Sequence, residues 1–389
     1  MTTISKSFRQ LALAALAAPL VALAAPDDDP GLPPYPVLRH SESDLSRGID
    51  AAVALDGGSV LLAGRIFDAS GPASWGWALE ADGSGRRIWE KELGKKAQNA
   101  SFAAASAAGA GAMLVGTVNE EVGALGHASA WIVSMAADGR VQWDRSLTFG
   151  QLTRAHAIVP TLNGAFLVAG TVRRPARDDQ AWIVRVDGAG QVALQKTLDT
   201  PKDFVFGALA ALDDGSFLVA GHLFAGPGAE MHGWIARFGA DAKPQWSHTL
   251  AARESSVAAL GVAADGSIAL ALTLGGRREQ PIQLMRLSAA GETLQAPVKT
   301  GLCKVPALWR HRSGQLRLAG VACASGKGQA PLGLIADLAH PERLQAIEAI
   351  VGGDVTQLVP LPGSDAIGVL GMRQGGDKTS SVFVTRPLP

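Results

Sequence analysis

The chain has 389 residues with 35 basic and 35 acidic side chains, 46 glycines and two cysteines. Balanced charge, with basic pairs such as Arg173-Arg174 and Arg277-Arg278 short and set among acids, excludes a surface built for a phosphate backbone, and with it nucleic-acid binding. The length would admit two or three domains, but self-similarity at intervals of about fifty residues argues for one closed unit.

Residues 1–24 read as a signal peptide: Lys6 and Arg9 precede an apolar run from Leu11 to Ala24, and Ala22-Leu23-Ala24 suits signal peptidase. The run contains Pro19 and falls short of the roughly 20 apolar residues a membrane span needs, so the chain is expected to be exported, periplasmic or extracellular, and not membrane-spanning. No cysteine lies near the cleavage point to carry a lipid. Loss of Lys6 and Arg9 leaves 33 basic residues against 35 acidic ones. A Pro/Asp-rich leader follows at 25–34; the prolines of "PDDDPGLPPYP" (26–36) bar a helix.

From residue 35 to 389 the pattern is periodic and reads as a single β-propeller domain. A strand ending in glycine appears as "SVLLAG" at Gly64, "AMLVG" at Gly116, "AFLVAG" at Gly170 and "SFLVAG" at Gly221, with weaker copies ending at Leu272, Gly320 and Gly371. Within a unit, an apolar strand a such as "AIVPTL" meets a turn at Asn163-Gly164 and continues as strand b, "AFLVAG". After a loop come strand c, "AWIVRV", and strand d, "VALQKTL". Four strands per unit, seven units and almost no helical period predict an all-β fold, a seven-bladed β-propeller of four-stranded antiparallel blades. The seventh unit ends at "SVFVTRPLP" without a strand d. Tyr35–Arg39 matches the strand d register and is expected to complete the last blade as an N-terminal closing strand, removing two open sheet edges.

Trp77, Trp131, Trp182 and Trp234 fall in strand c, and Trp89, Trp143 and Trp246 in strand d, twelve residues later, with Leu194 substituting in the third unit. Each ring buries about 150–250 Å² when packed, so these seven tryptophans are expected to fill gaps between blades rather than stack on a ligand.

The unit "AWIVRVDGAGQVALQKTL" with the following "NGAFLVAG" resembles the repeats of secreted bacterial β-propeller proteins, and more loosely the tryptophan-docking repeats of pyrroloquinoline-quinone-type propellers. The resemblance rests on turn glycines such as Gly139 and Gly190 and on Trp143, covers nearly the whole mature chain and implies architecture. The quinone-dependent dehydrogenases of that class add a vicinal cysteine pair, a bound calcium and an acidic base. This sequence departs from that pattern, because Cys303 and Cys323 are far apart and no calcium motif occurs.

In a propeller the d-to-a and b-to-c connections share one face. Here the b-to-c loops are long, as in "TVNEEVGALGHAS" (117–129) and "HLFAGPGAEMHG" (222–233), so that face is the candidate recognition surface. Arg47, Asp50, Asn99, Arg154, His156, Asp203, Arg253 and Glu254 precede or open strand a and are expected to ring the channel mouth, where a small polar ligand would bind. No catalytic residue is assigned. His222, Glu230 and His232 fit neither a zinc nor a calcium pattern, so no metal site and no cofactor are predicted. No Gly-x-Ser-x-Gly elbow and no phosphate-cradling loop occur in their required setting. Hairpin register centred on Ser313 puts Cys303 opposite Cys323, predicting a disulfide in an oxidising compartment, with free buried thiols as the alternative. The function expected on these grounds is an exported non-catalytic binding or scaffold module working through its long-loop face, its partner a protein, glycan or small molecule. The alternative is an axial-site enzyme, either a quinone-dependent oxidoreductase or a hydrolase or lyase.

Overall fold

A computed structural model describes residues 38–40 and 45–387, apart from 69–72, 83–85, 95–98, 120–126, 163, 174–178, 202, 225–229, 276–279, 312, 324–331, 348–352, 362–365 and 376–377. The expected signal peptide and leader lie outside the described residues. No helix among the described residues is long and apolar enough to cross a membrane.

The turns punctuate the chain as their residues require. Gly215 (φ 80°) closes the a-to-b turn of the fourth unit and Gly190 (φ 81°) the c-to-d turn of the third, in left-handed conformations that a side chain would strain. Between such turns the chain forms strands, beginning with β1 (Leu38–His40). Blade 1 is β2 (Leu45–Ala54), β3 (Val60–Asp68), β4 (Ser74–Ala81) and β5 (Arg87–Leu93). Blade 2 is β6 (Ala100–Ala108), β7 (Gly111–Val118), β8 (Ser129–Met135) and β9 (Val141–Leu147). Blade 3 is β10 (Leu152–Pro160), β11 (Phe166–Arg173), β12 (Asp179–Val186) and β13 (Val192–Thr197). Blade 4 is β14 (Phe204–Ala211), β15 (Phe217–Phe224), β16 (Met231–Phe238) and β17 (Pro244–Arg253). Blade 5 is β18 (Ser255–Val262), β19 (Ile268–Leu274), β20 (Gln283–Leu287) and β21 (Thr293–Lys299). Blade 6 is β22 (Leu302–Arg310), β23 (Leu316–Ala322), β24 (Leu332–Ile335) and β25 (Leu344–Ile347). Blade 7 is β26 (Gly353–Pro360), β27 (Ala366–Gly375) and β28 (Lys378–Pro387), with β1 as its fourth strand.

The seven antiparallel sheets form the expected propeller. Each innermost strand touches the next, from β2 through β6, β10, β14, β18 and β22 to β26, and β26 touches β2. The N-terminal strand pairs with β28 in the register Leu38↔Phe383, Arg39↔Val382 and His40↔Ser381. Of the expected Tyr35–Arg39, Leu38 and Arg39 are paired and the pairing continues to His40; residues 35–37 lie outside the described residues.

Strands b and c read as continuous apolar runs because both of their faces are buried. In β11, Leu167 and Ala169 enter the core shared with blade 4, while Phe166 and Val168 enter the core shared with blade 2. Seven such cores lie between the seven pairs of adjacent blades.

The tryptophans pack as expected, in two different ways. Trp77, Trp131, Trp182 and Trp234 are buried and stand opposite Gly64, Gly116, Gly170 and Gly221, which lie inside strand b rather than at its expected end. Trp89, Trp143 and Trp246 are half-buried on outer strands. Each lies against a c-to-d turn glycine of the following blade, Gly139, Gly190 and Gly291. That interlock is why the twelve-residue spacing recurs around an Asp-Gly or similar turn.

Candidate functional site

Every innermost strand carries an extra residue at the same depth. Pairing skips one residue in six blades, leaving Asp50, Ala103, His156, Gly207, Ala258 and Thr356 unmatched, and in blade 6 it skips Cys303 and then Val305 and Pro306. These bulges bend the strand. The carbonyl oxygen two residues before the bulged residue then crowds strand b: Gly48 O against Gly64, Ser101 O against Gly116, Arg154 O against Gly170 and Val205 O against Gly221. A Cβ on any of those glycines would overlap that oxygen, which gives the strand b glycine its purpose.

The residue after that glycine is polar in four blades, Arg65, Thr117, Thr171 and His222, and Thr273 holds the same place in blade 5 after Leu272. In four of the five it meets a polar group of an innermost strand; in blade 5, Thr273 Oγ1 donates to Ser256 O at 3.4 Å. In blade 1, Arg65 Nε lies 3.4 Å from Asp50 Oδ2 but forms no hydrogen bond among the described residues. Burial raises the Asp50 pKa above the usual carboxylate value, against the opposing pull of the Arg65 charge. In blade 3, His156 Nε2 hydrogen-bonds with Thr171 Oγ1 at 2.9 Å, and its ring stacks on Phe206 of blade 4 with centroids 5.6 Å apart. Burial first, and the Arg154 charge second, hold the His156 pKa at about 4, so the ring is neutral at pH 7. Between blades 4 and 5, His222 Nδ1 lies 2.9 Å from Ser256 Oγ, and burial lowers the His222 pKa as well.

The eight residues expected at the channel mouth therefore separate. Asp50 and His156 sit on bulges, and Arg154 is exposed on β10 two residues before His156. Arg47 lies in β2, its side chain outside the described residues. Asn99 is a latch between blades: its side-chain oxygen accepts the Ser74 amide at 3.1 Å. Thr200 and Ser255 make the same kind of contact to Ala181 N and Gly233 N. Asp203 and Glu254 each precede an innermost strand in left-handed conformations, φ 56° and 52°. Arg253 is exposed and ion-paired with Glu230 at 2.9 Å.

Sequence reasoning missed the roles of Arg65, Thr171, His222, Ser256 and Phe206, having weighed His222 only as a metal ligand. The signal was present for the first three, since all occupy the repeat position after the strand b glycine, where a polar residue interrupts an apolar strand. The long b-to-c loops lie largely outside the described residues. His222 and His232, expected on one loop, belong to paired strands β15 and β16. Among the described residues no group of three or more His, Cys, Asp or Glu is placed to hold a metal ion.

Cys303 and Cys323 form a disulfide with Cα atoms 4.9 Å apart, consistent with an oxidising compartment. The register expected at the turn holds from Arg310↔Leu316 to Ala307↔Ala319. It then shifts at the blade 6 bulge, so that Leu302 faces Ala322 and the two cysteines are not direct ladder partners.

No protein-family model matches the sequence, and no curated protein matches it. Solved structures do match. The polysaccharide lyase Uly1 superposes with a TM-score of 0.58 at 9% identity, over 90% of this chain and 92% of the lyase. A puromycin hydrolase variant superposes with a TM-score of 0.50 at 16% identity, over 92% of this chain and 53% of the hydrolase, so the chain spans about half of that enzyme. At these identities the likeness is one of fold. Both are enzymes, and on that finding the expected non-catalytic binding or scaffold role gives way to the catalytic alternative.

Proposed function

We propose that the protein is an axial-site enzyme that cleaves a polysaccharide by elimination, with His156 as base, Asp50 as acid and Arg154 as partner of a substrate carboxylate. One observation carries the reading: two titratable groups on bulges of the innermost ring are both driven by burial toward their uncharged forms. A neutral imidazole accepts a proton and a carboxyl with a raised pKa donates one. In elimination the base removes hydrogen from the carbon beside the sugar carboxylate. The freed electron pair becomes a double bond, the carbon–oxygen bond to the leaving sugar breaks, and the acid protonates that oxygen. Glycoside hydrolysis ordinarily uses two carboxylates, whereas Asp50 is the one carboxylate on the bulges. The named lyase supports the substrate class through the shared fold.

A polysaccharide outside the cytoplasm agrees with cleavage of residues 1–24, a leader at 25–34 and a disulfide-bonded propeller domain from residue 35 to 389. Incubation with uronate-containing and neutral polysaccharides tests the reading. Elimination leaves ultraviolet-absorbing unsaturated ends on the uronate substrates; new reducing ends without that absorbance would replace elimination with hydrolysis.

A further inference from the structure

We propose that Ser256 and His222 form a second reactive centre, a nucleophile and its base acting on esters with small apolar acyl groups. Ser256 is the second residue of innermost strand β18 and is half-buried. With the His222 proton on Nε2, its hydroxyl donates across the blade 4 to blade 5 boundary to Nδ1 at 2.9 Å. This is the hydrogen bond an activated serine needs, and burial keeps the ring neutral and able to accept. The surroundings differ from those of a plain strut. Val205, the ladder partner of His222, is 37% exposed, and Phe224, which meets the His222 ring edge-on at 5.1 Å, is 44% exposed. Two large apolar side chains open to solvent beside a serine and histidine pair make a seat for an acyl chain. Glu254, two residues before Ser256, holds a left-handed conformation that costs an ordinary residue free energy and that clusters at sites of function.

In the reaction, Ser256 Oγ bonds to the acyl carbon while its proton passes to His222 Nδ1. The bond from that carbon to the ester oxygen breaks, and the alcohol leaves with the proton. Water then attacks the acyl-serine, again giving its proton to His222, and releases the acid and the free hydroxyl. The centre uses none of the residues assigned to polysaccharide elimination, so either proposal stands if the other fails.

The test is covalent labelling of the folded full chain with an alkyl fluorophosphonate, followed by peptide mass spectrometry, with turnover of 4-nitrophenyl acetate measured alongside. One label per chain on Ser256 is expected, with ester turnover falling at least tenfold in Ser256→Ala and His222→Gln. The mapping is done on the unaltered protein, so it decides the matter even if a variant fails to fold. No label, a label on another residue, or undiminished turnover by folded Ser256→Ala overturns the proposal.

Discussion

Gly170 stands directly across the β11–β12 ladder from Trp182, and the indole lies over it: a Cβ at Gly170 would fall 2.9 Å from Trp182 Cζ2 while overlapping the Arg154 carbonyl oxygen. That single position joins the fold to the site, because the crowding oxygen belongs to the strand whose bulge carries His156. Gly170→Ala is expected to destabilise the protein by about 1–3 kcal/mol, the usual cost of overpacking. Gly188→Ala, where nothing lies within 4 Å, should change stability by less than about 0.5 kcal/mol. Denaturant midpoints of the two variants make the comparison.

Trp182 is fully buried, stacks on Phe149 at 4.8 Å and donates its indole N–H to Thr171 O at 3.0 Å. Trp182→Ala should cost about 3–5 kcal/mol, as large truncations in packed cores do. Trp182→Phe should recover much of that loss. Equilibrium unfolding, followed by far-ultraviolet circular dichroism, measures both.

The blade count and the packing role of the tryptophans were legible because each repeats at a fixed interval and rests on local chemistry: turn glycines, apolar strands and rings of fixed size. The bulges were not. An inserted residue changes the pairing partner without changing composition, so nothing in "RAHAIV" announces that His156 drops out of the ladder. For the same reason the rim residues could not be sorted: Asn99 and Asp50 look alike as polar residues near strand a, yet one latches two blades and the other sits on a bulge. The disulfide was legible because its hairpin is short enough that a shifted register still brings the cysteines together.

Removing the Cys303–Cys323 bridge by Cys303→Ser with Cys323→Ser should cost about 3 kcal/mol on the loop-entropy account for a closed loop of this size. The bridge spans 20 residues of one hairpin, so the loss should appear in the unfolding midpoint with and without reductant. A thiol titration of the denatured, unreduced protein should find none.

The depressed pKa of His156 has a signed consequence for stability. The imidazole of the unfolded chain begins to bind protons near pH 6.5, whereas the folded ring stays neutral until about pH 4. The stabilising contribution is therefore complete above pH 6.5 and is lost as pH falls from 6.5 to 4, by at most about 3 kcal/mol. His156→Gln should flatten that part of the profile in thermal melts taken across the range.

The central claim is most directly tested by the pH profile of polysaccharide cleavage for the unaltered protein, His156→Gln and Asp50→Asn, each shown to be folded by its melting curve. The profile is predicted to rise above about pH 4 as His156 becomes neutral, with each substitution lowering kcat by at least a hundredfold. Undiminished cleavage by both folded variants, or no cleavage of any uronate polysaccharide by the unaltered protein, would contradict it.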